Sequence, residues 1–242
     1  MKNQYVGDIG DYTKLGLLRV LENSGLSIGV NWYCTPDDAI NKDGRHIDYL
    51  ESPCDTPDME LHSGLHSIVI DKQERTINAL MNSGLLKNAV FYSTPLVLSP
   101  KSNPVKDRSE WHKEALLCLC STDVVFVDPD NGFIADSVSP YSSKGNKYVT
   151  YEEAADYFNS GTTVIVYCHR DRSQEEKYVN RLHRIKDHTT GSMENLMCLK
   201  AHRYSSRDYF FIMQPAHHDK IKCAVDKMLA TRWKNYLSYR II

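Results

Sequence analysis

The sequence predicts an α/β fold of the Rossmann-like kind, with a mostly parallel sheet and helices on both faces. Three observations predict it. Short, nearly continuous hydrophobic runs recur, above all at residues 28–34, 124–127 and 163–167. Runs of that kind suit strands buried on both faces. Segments with helical patterning alternate with them, the order expected of a parallel sheet. Several runs end in clusters of Asp, Asn, His and Arg, at the edge where open sheets of this type bind ligands. No linker shows a shift in composition, so residues 1–242 read as a single domain.

Each element follows from local chemistry. Asp11 can cap a helix over residues 12–23, which Gly25 ends. Residues 28–34 read as a buried strand, and 35–38 as a turn. A short helix fits 45–50. Residues 67–70 form a strand candidate, 72–81 a helix and 89–92 a short strand. The stretch 99–107 is loop-like, with two prolines. A helix is expected at 108–120, a very apolar strand at 124–127 and a helix at 151–159. A β-branched strand at 163–167 and a helix at 173–185 come next. Strands at 195–200 and 206–213 can form an antiparallel pair, and a long helix closes the chain at 218–236.

Hydrophobic residues make up 41% of the chain and charged residues 25%, the composition of an ordinary globular protein. Net charge is −2, so any basic surface must be local. The seven cysteines include no C-x-x-C pair, which argues against a disulfide framework and a structural zinc site. No signal-peptide pattern opens the chain, and no apolar run approaches the ~18 residues of a membrane span. A cytoplasmic protein without a membrane partner is the expectation. The sequence contains no Walker-type phosphate loop, no G-x-S-x-G elbow and no H-E-x-x-H.

The strongest candidate site is the end of the 124–127 strand. It delivers Asp128, Pro129, Asp130 and Asn131 to one turn, with Gly132 free to take an unusual φ. Two carboxylates there can hold a metal, hold an amine or act as a base; the competing reading is an ordinary turn built of turn formers. A second cluster joins Asp8, Asp11 and Lys14 before and within the first helix. Opening as Val6-Gly7-Asp8-Ile9, it looks like a metallophosphoesterase start, but Gly10 stands where that motif needs histidine. A third comprises Asn31, an amide inside a buried strand, and Arg45 with His46 after the turn at 43–44. A fourth is His169, a candidate base or ligand, with Arg170 and Arg172, whose guanidinium groups suit phosphate. A fifth runs from 202 to 208 and includes Arg207.

The run Asp128-Pro129-Asp130-Asn131-Gly132 resembles a family of uncharacterised bacterial proteins with this strand end. Residues 7–12, 147–149 and 205–211 fit it as well. More distantly, the order of elements from Arg108 onward is similar to that of Rossmann-like ribosomal RNA adenine-N6 methyltransferases, which have a class I methyltransferase fold. Those enzymes end a strand in Asp-Pro-Pro-Tyr, which holds the adenine amine. Asp128 and Pro129 match its first two positions; Asp130 and Asn131 depart from the last two. Residues 31–37 stand in place of the glycine-rich loop that holds the methionine part of S-adenosylmethionine.

The resemblance implies an enzyme acting on nucleic acid or a nucleotide, in its most concrete form an S-adenosylmethionine-dependent amine methyltransferase. Asp128, Asp130, Asn131 and His169 would be catalytic. Asp8, Asp11, Asn31 and Arg45 would line the cofactor cleft, and Lys14, Arg170 and Arg207 would meet substrate phosphate. Two rivals remain. One is a nuclease or phosphodiesterase using Mg or Mn on Asp128 and Asp130. The other is a non-catalytic nucleotide-binding protein of the phage-defence type.

Overall fold

The structure is a computed structural model and describes residues 1–36, 44–99, 101–171, 173–190, 195–204 and 206–242, with only the backbone of Asp55. The expected turn at residues 35–38 lies partly outside the described residues, as do Asp43, Arg172 and Ser205.

A short apolar run becomes a strand here because both of its faces find a partner. In the strand Val124–Val127, Val124 and Phe126 enter one hydrophobic cluster and Val125 and Val127 the other. That period of two is the pleat of a strand buried on both sides. The elements in chain order are α1 (Ile9–Asn23), β1 (Ile28–Asn31), α2 (Met59–His66), α3 (Ile77–Met81), β2 (Val90–Tyr92), α4 (Pro104–Leu119), β3 (Val124–Val127), β4 (Gly132–Phe133), β5 (Tyr148–Val149), α5 (Tyr151–Asn159), β6 (Thr163–His169), α6 (Glu175–His183), β7 (Leu196–Ala201), β8 (Arg207–Ile212), α7 (Pro215–Leu229) and β9 (Leu237–Tyr239).

Seven strands form one sheet in the order β2-β1-β3-β6-β8-β7-β9. The first four are mutually parallel. β8 runs antiparallel between β6 and β7, and β9 runs antiparallel to β7. The sheet is therefore mixed α/β and Rossmann-like, with the antiparallel pair the sequence allowed for. Residues of α1, α2 and α7 pack into the cluster on one face, and those of α4, α5 and α6 into the cluster on the other. Strand order reverses at β1, whose neighbours are β2 and β3. The crevice between the carboxyl ends of β1 and β3 is thus the topological switch point.

Several elements differ from expectation. α1 begins three residues early, because Asp8 rather than Asp11 accepts from the helix N–H groups. Residues 67–70 are not a strand: Ser67–Asp71 continue α2 as a π-type turn. A short apolar run cannot distinguish a buried strand from a buried helix. The helix of 72–81 shrinks to α3, capped by Thr76. The helix of 108–120 starts instead at Pro104 behind an Asn103 cap. The stretch 45–50 is a 3-10 turn at Asp48–Glu51. The closing helix stops at Leu229, and 237–239 add an edge strand.

One buried ion pair ties the face of α4 and α5 to the sheet. Arg108 donates to both carboxylate oxygens of Glu153, at 2.6 and 2.7 Å, and to the carbonyls of Pro140, Gly145 and Tyr148. Both side chains are almost fully buried. Burial penalises the charge on Glu153, but Arg108 outweighs it and holds the carboxyl below its ordinary value. Removing one partner would strand a buried charge. Arg108→Ala is expected to cost about 3–5 kcal/mol in urea unfolding; a loss near zero would show that the pair contributes no net stability.

Candidate active site

The carboxyl ends of β1, β3 and β6 open into a cleft of about 450 Å³. The turn after β3 supplies Asp128 to Asn131, and β6 supplies Tyr167 and His169. Arg207, at the start of antiparallel β8, sits opposite His169 at the same edge. The first turns of α1 bring Asp8, Asp11 and Lys14 over the opening. Two glycines make this approach possible. A Cβ on Gly10 would lie 2.9 Å from an oxygen of Asp8 and 3.0 Å from the Arg207 guanidinium carbon. Gly132 has φ 95°, and its Cβ would meet the backbone of Cys168 at 2.9 Å. A side chain at Gly10 would displace the Asp8 and Arg207 side chains, and one at Gly132 would press on the backbone of β6.

Lys14 occupies the centre. Its ammonium donates to Asp128 at 2.7 Å and to Asp11 at 2.9 Å, and lies 5.4 and 5.6 Å from the ring centres of Trp32 and Tyr167. Burial opposes the charge on Lys14, but Asp11 and Asp128 outweigh it and hold the pKa above its ordinary value. Burial pushes both carboxyls up, against the pull of Lys14. Lys14 is therefore a fixed cation, not a base. Asp11 also accepts from the Gly7 N–H, and Asp8 from the Asp11 N–H. Burial pushes the Tyr167 phenol up to about 12.

The turn after β1 has an unusual form. Tyr33 takes φ 44°, in the left-handed region that glycine normally fills. Its cost is met by packing and bonding: Tyr33 is 1% exposed, its hydroxyl donates to Glu153 at 3.0 Å, and its N–H donates to the Asn31 side chain. This conformation turns the Tyr33 carbonyl toward the crevice. There the amino nitrogen of Met1 meets the carbonyls of Tyr33 at 3.0 Å and Asp128 at 3.2 Å, and the carboxylate of Asp130 at 3.0 Å. Three oxygen acceptors thus converge on one amine nitrogen, that of the chain's own Met1.

Lys2, Tyr5, Arg45, His46 and Lys147 complete the wall, with Lys2 buried and Arg45 exposed. The His46 ring stacks on Tyr204, with centroids 4.0 Å apart. Tyr204 is exposed and has φ 63°. Strained, exposed aromatic residues of this kind occur at ligand sites.

Nine of the eleven residues predicted from sequence line the cleft: Asp8, Asp11, Lys14, Arg45, Asp128, Asp130, Asn131, His169 and Arg207. Asn31 lies outside it. It is fully buried, and its amide bonds the Tyr157 hydroxyl and the Tyr33 N–H, shaping the β1 turn from behind. Arg170 also lies outside it, over the Tyr178 ring and against Asp171 and Glu175. The sequence reading missed Lys2, Tyr5 and Lys147 as site residues, and gave no role to Tyr167 and Tyr204, which fell within its fourth and fifth clusters. Tyr167 is the last but two of a β6 that runs further than expected, so its placement by the strand end was the available signal.

The central cation carries a testable consequence. Lys14→Met would leave Asp11 and Asp128 buried without their cation, at an expected cost of about 3–5 kcal/mol near pH 7. Both carboxyls would then titrate well above their ordinary 3.8 in the folded protein. Over that interval the native state binds more protons than the unfolded one, so stability of the variant rises as pH falls toward 3.8. Chemical denaturation at pH 7.5 and pH 5 checks this. A deficit independent of pH would contradict it.

Among known proteins, no family model matches the chain, and no curated protein matches it. A solved structure that it resembles is that of protein LPL1258 from Legionella pneumophila str. Philadelphia 1, described by the family name DUF519. The two are 12% identical, the match covers 98% of this chain and 96% of that one, and the TM-score is 0.48. Among the described residues, no helix is long and apolar enough to cross a membrane.

Proposed function

We propose that the cleft recognises an amine of a nucleotide or nucleic acid, and that the protein is an S-adenosylmethionine-dependent methyltransferase of that amine. One observation carries the reading: Tyr33 O, Asp128 O and the Asp130 carboxylate converge on a single nitrogen at the switch point, all within 3.2 Å. Acceptors without a donor among them suit a group rich in N–H, such as the amine they hold here.

The residues present fit the cofactor in two respects. A cleft of about 450 Å³ is of ligand size. The left-handed Tyr33 supplies without glycine a backbone shape that a glycine-rich turn would give. Bound there, S-adenosylmethionine supplies an electrophilic methyl group. The chain's own work is to accept the amine hydrogens at the Asp128 and Tyr33 carbonyls, which aims the nitrogen lone pair, and to hold the developing positive charge beside Asp128 and Asp130. Lys14 keeps the Asp128 carboxylate in one orientation. Pro129 removes a donor from the turn, so the strand end presents acceptors. The stacked His46 and Tyr204 rings at the rim suit a base face.

A divalent metal fits the same residues less well. Asp128 already pairs with Lys14, and among the described residues no three His, Cys, Asp or Glu side chains are grouped to hold an ion.

Calorimetric titration with S-adenosylhomocysteine, paired with transfer of labelled methyl from S-adenosylmethionine to single-stranded RNA and mononucleotides, tests the reading. Binding and transfer are expected, with affinity falling about tenfold or more in Asp130→Ala, the effect of losing a charge-assisted hydrogen bond. Absence of both binding and transfer would overturn it. Binding without transfer to any amine would place the protein among non-catalytic binding proteins.

A further inference from the structure

Lys2 is 2% exposed and lines the cleft; its carbonyl accepts from the Tyr5 N–H, yet its ammonium has no hydrogen-bond or ion-pair partner among the described residues. That ammonium lies 5.9 Å from the centre of the Tyr5 ring. A buried lysine is almost always paired, because taking an ammonium out of water costs several kcal/mol. The other central cations follow that rule: Lys14 has Asp11 and Asp128, and the Met1 amine has Asp130.

Among the described residues, no cleft carboxylate pairs with Lys2. Asp8 caps α1, and the remaining three carry the pairs just described. The lining holds four aspartates against Lys2, Lys14, Arg45, Lys147 and Arg207, so the wall has an excess of cations. Arg45 belongs to a segment that sits against the start of the chain: Gly44 packs on the carbonyl of Gln4, and the His46 carbonyl accepts from Ile9. Lys147 is fixed to the β3 turn, where its carbonyl accepts from Asn131. Cations therefore enter the same cleft from three separate segments.

We infer that Lys2 marks a phosphate subsite, so the ligand of this cleft carries a phosphate group as well as an amine. The amine end rests on the function proposed above; the phosphate end rests on Lys2. A compact ammonium is a point charge that suits a phosphate oxygen, and a dianion matches a wall on which more than one cation is exposed. A phosphate with a stacked base at the His46–Tyr204 rim describes a nucleotide, free or at the end of a nucleic acid strand.

The test measures binding of pyrophosphate, adenosine, AMP and a 5′-phosphorylated single-stranded oligonucleotide by calorimetry to the full chain and to Lys2→Gln and Lys2→Arg. Pyrophosphate is expected to bind the unmodified protein, and AMP at least tenfold more tightly than adenosine. Lys2→Gln should remove both effects and leave the melting temperature of the free protein equal or higher, since it deletes an unpaired buried charge. Lys2→Arg should retain them. The tighter of AMP and the oligonucleotide identifies the source of the phosphate. Equal binding of AMP and adenosine, with no pyrophosphate binding, would overturn the subsite even if no variant folded. If Lys2→Gln instead weakened S-adenosylhomocysteine and spared pyrophosphate, Lys2 would serve an amino-acid carboxylate and the phosphate subsite would be overturned. Pyrophosphate binding lost in Lys2→Gln, with no S-adenosylhomocysteine binding, would uphold the subsite and remove the methyl-donor reading.

Discussion

The ammonium of Lys14, held between Asp11 and Asp128, is the interaction on which the site depends. It joins the first turns of α1 to the end of β3, elements more than a hundred residues apart in the chain. Neither carboxyl is stable as an anion in that place without it, because burial raises both. Nor is the lysine stable there without them. The three groups make sense only as a unit. Such a unit contributes less to net stability than its short distances suggest, because desolvation consumes much of the Coulomb gain. What it does secure is geometry: the helix start is placed over the strand ends, and the cleft lies between them.

A second buried pair supports the opposite wall. Arg108 and Glu153 link α4, α5 and the carbonyls of the loop that follows β4, and the Tyr33 hydroxyl joins them through Glu153. That bond, together with the Asn31 amide behind the turn, holds Tyr33 in a conformation that costs on the order of 1–3 kcal/mol for a residue with a side chain. The strain is placed where the backbone carbonyl must face the crevice. The surrounding scaffold and the buried acceptors around the Met1 amine are thus one arrangement seen from two sides.

Much of this was legible before any coordinates. β3 is apolar at every position and β6 is apolar from Val164 to Val166, as suits a strand covered on both faces. The Asp-Pro-Asp-Asn turn was legible because its residues directly follow such a run. Local rules failed where the decision was not local. The run at 67–70 became helical because α2 was already in place to be extended, and α1 began early because two aspartates competed for one cap. Asn31 read as a ligand residue because a buried amide requires partners; the partners turned out to be Tyr157 and the Tyr33 backbone. Arg170 read as a phosphate ligand because it follows a strand, but the chain turns there and sends it to Tyr178.

The sequence by itself determined the α/β class, the order of helices and buried strands, and the strand-end position of Asp128, Asp130, Asn131 and His169. These follow from periodicity and chain punctuation, which are properties of neighbouring residues. Only the tertiary structure decided which carboxylate meets which cation, that the Lys2 ammonium has no ion pair among the described residues, and that Tyr33 takes the shape of a glycine. Those are distances between residues far apart in the chain. Charge pairing and burial depend on such distances, and no local pattern records them.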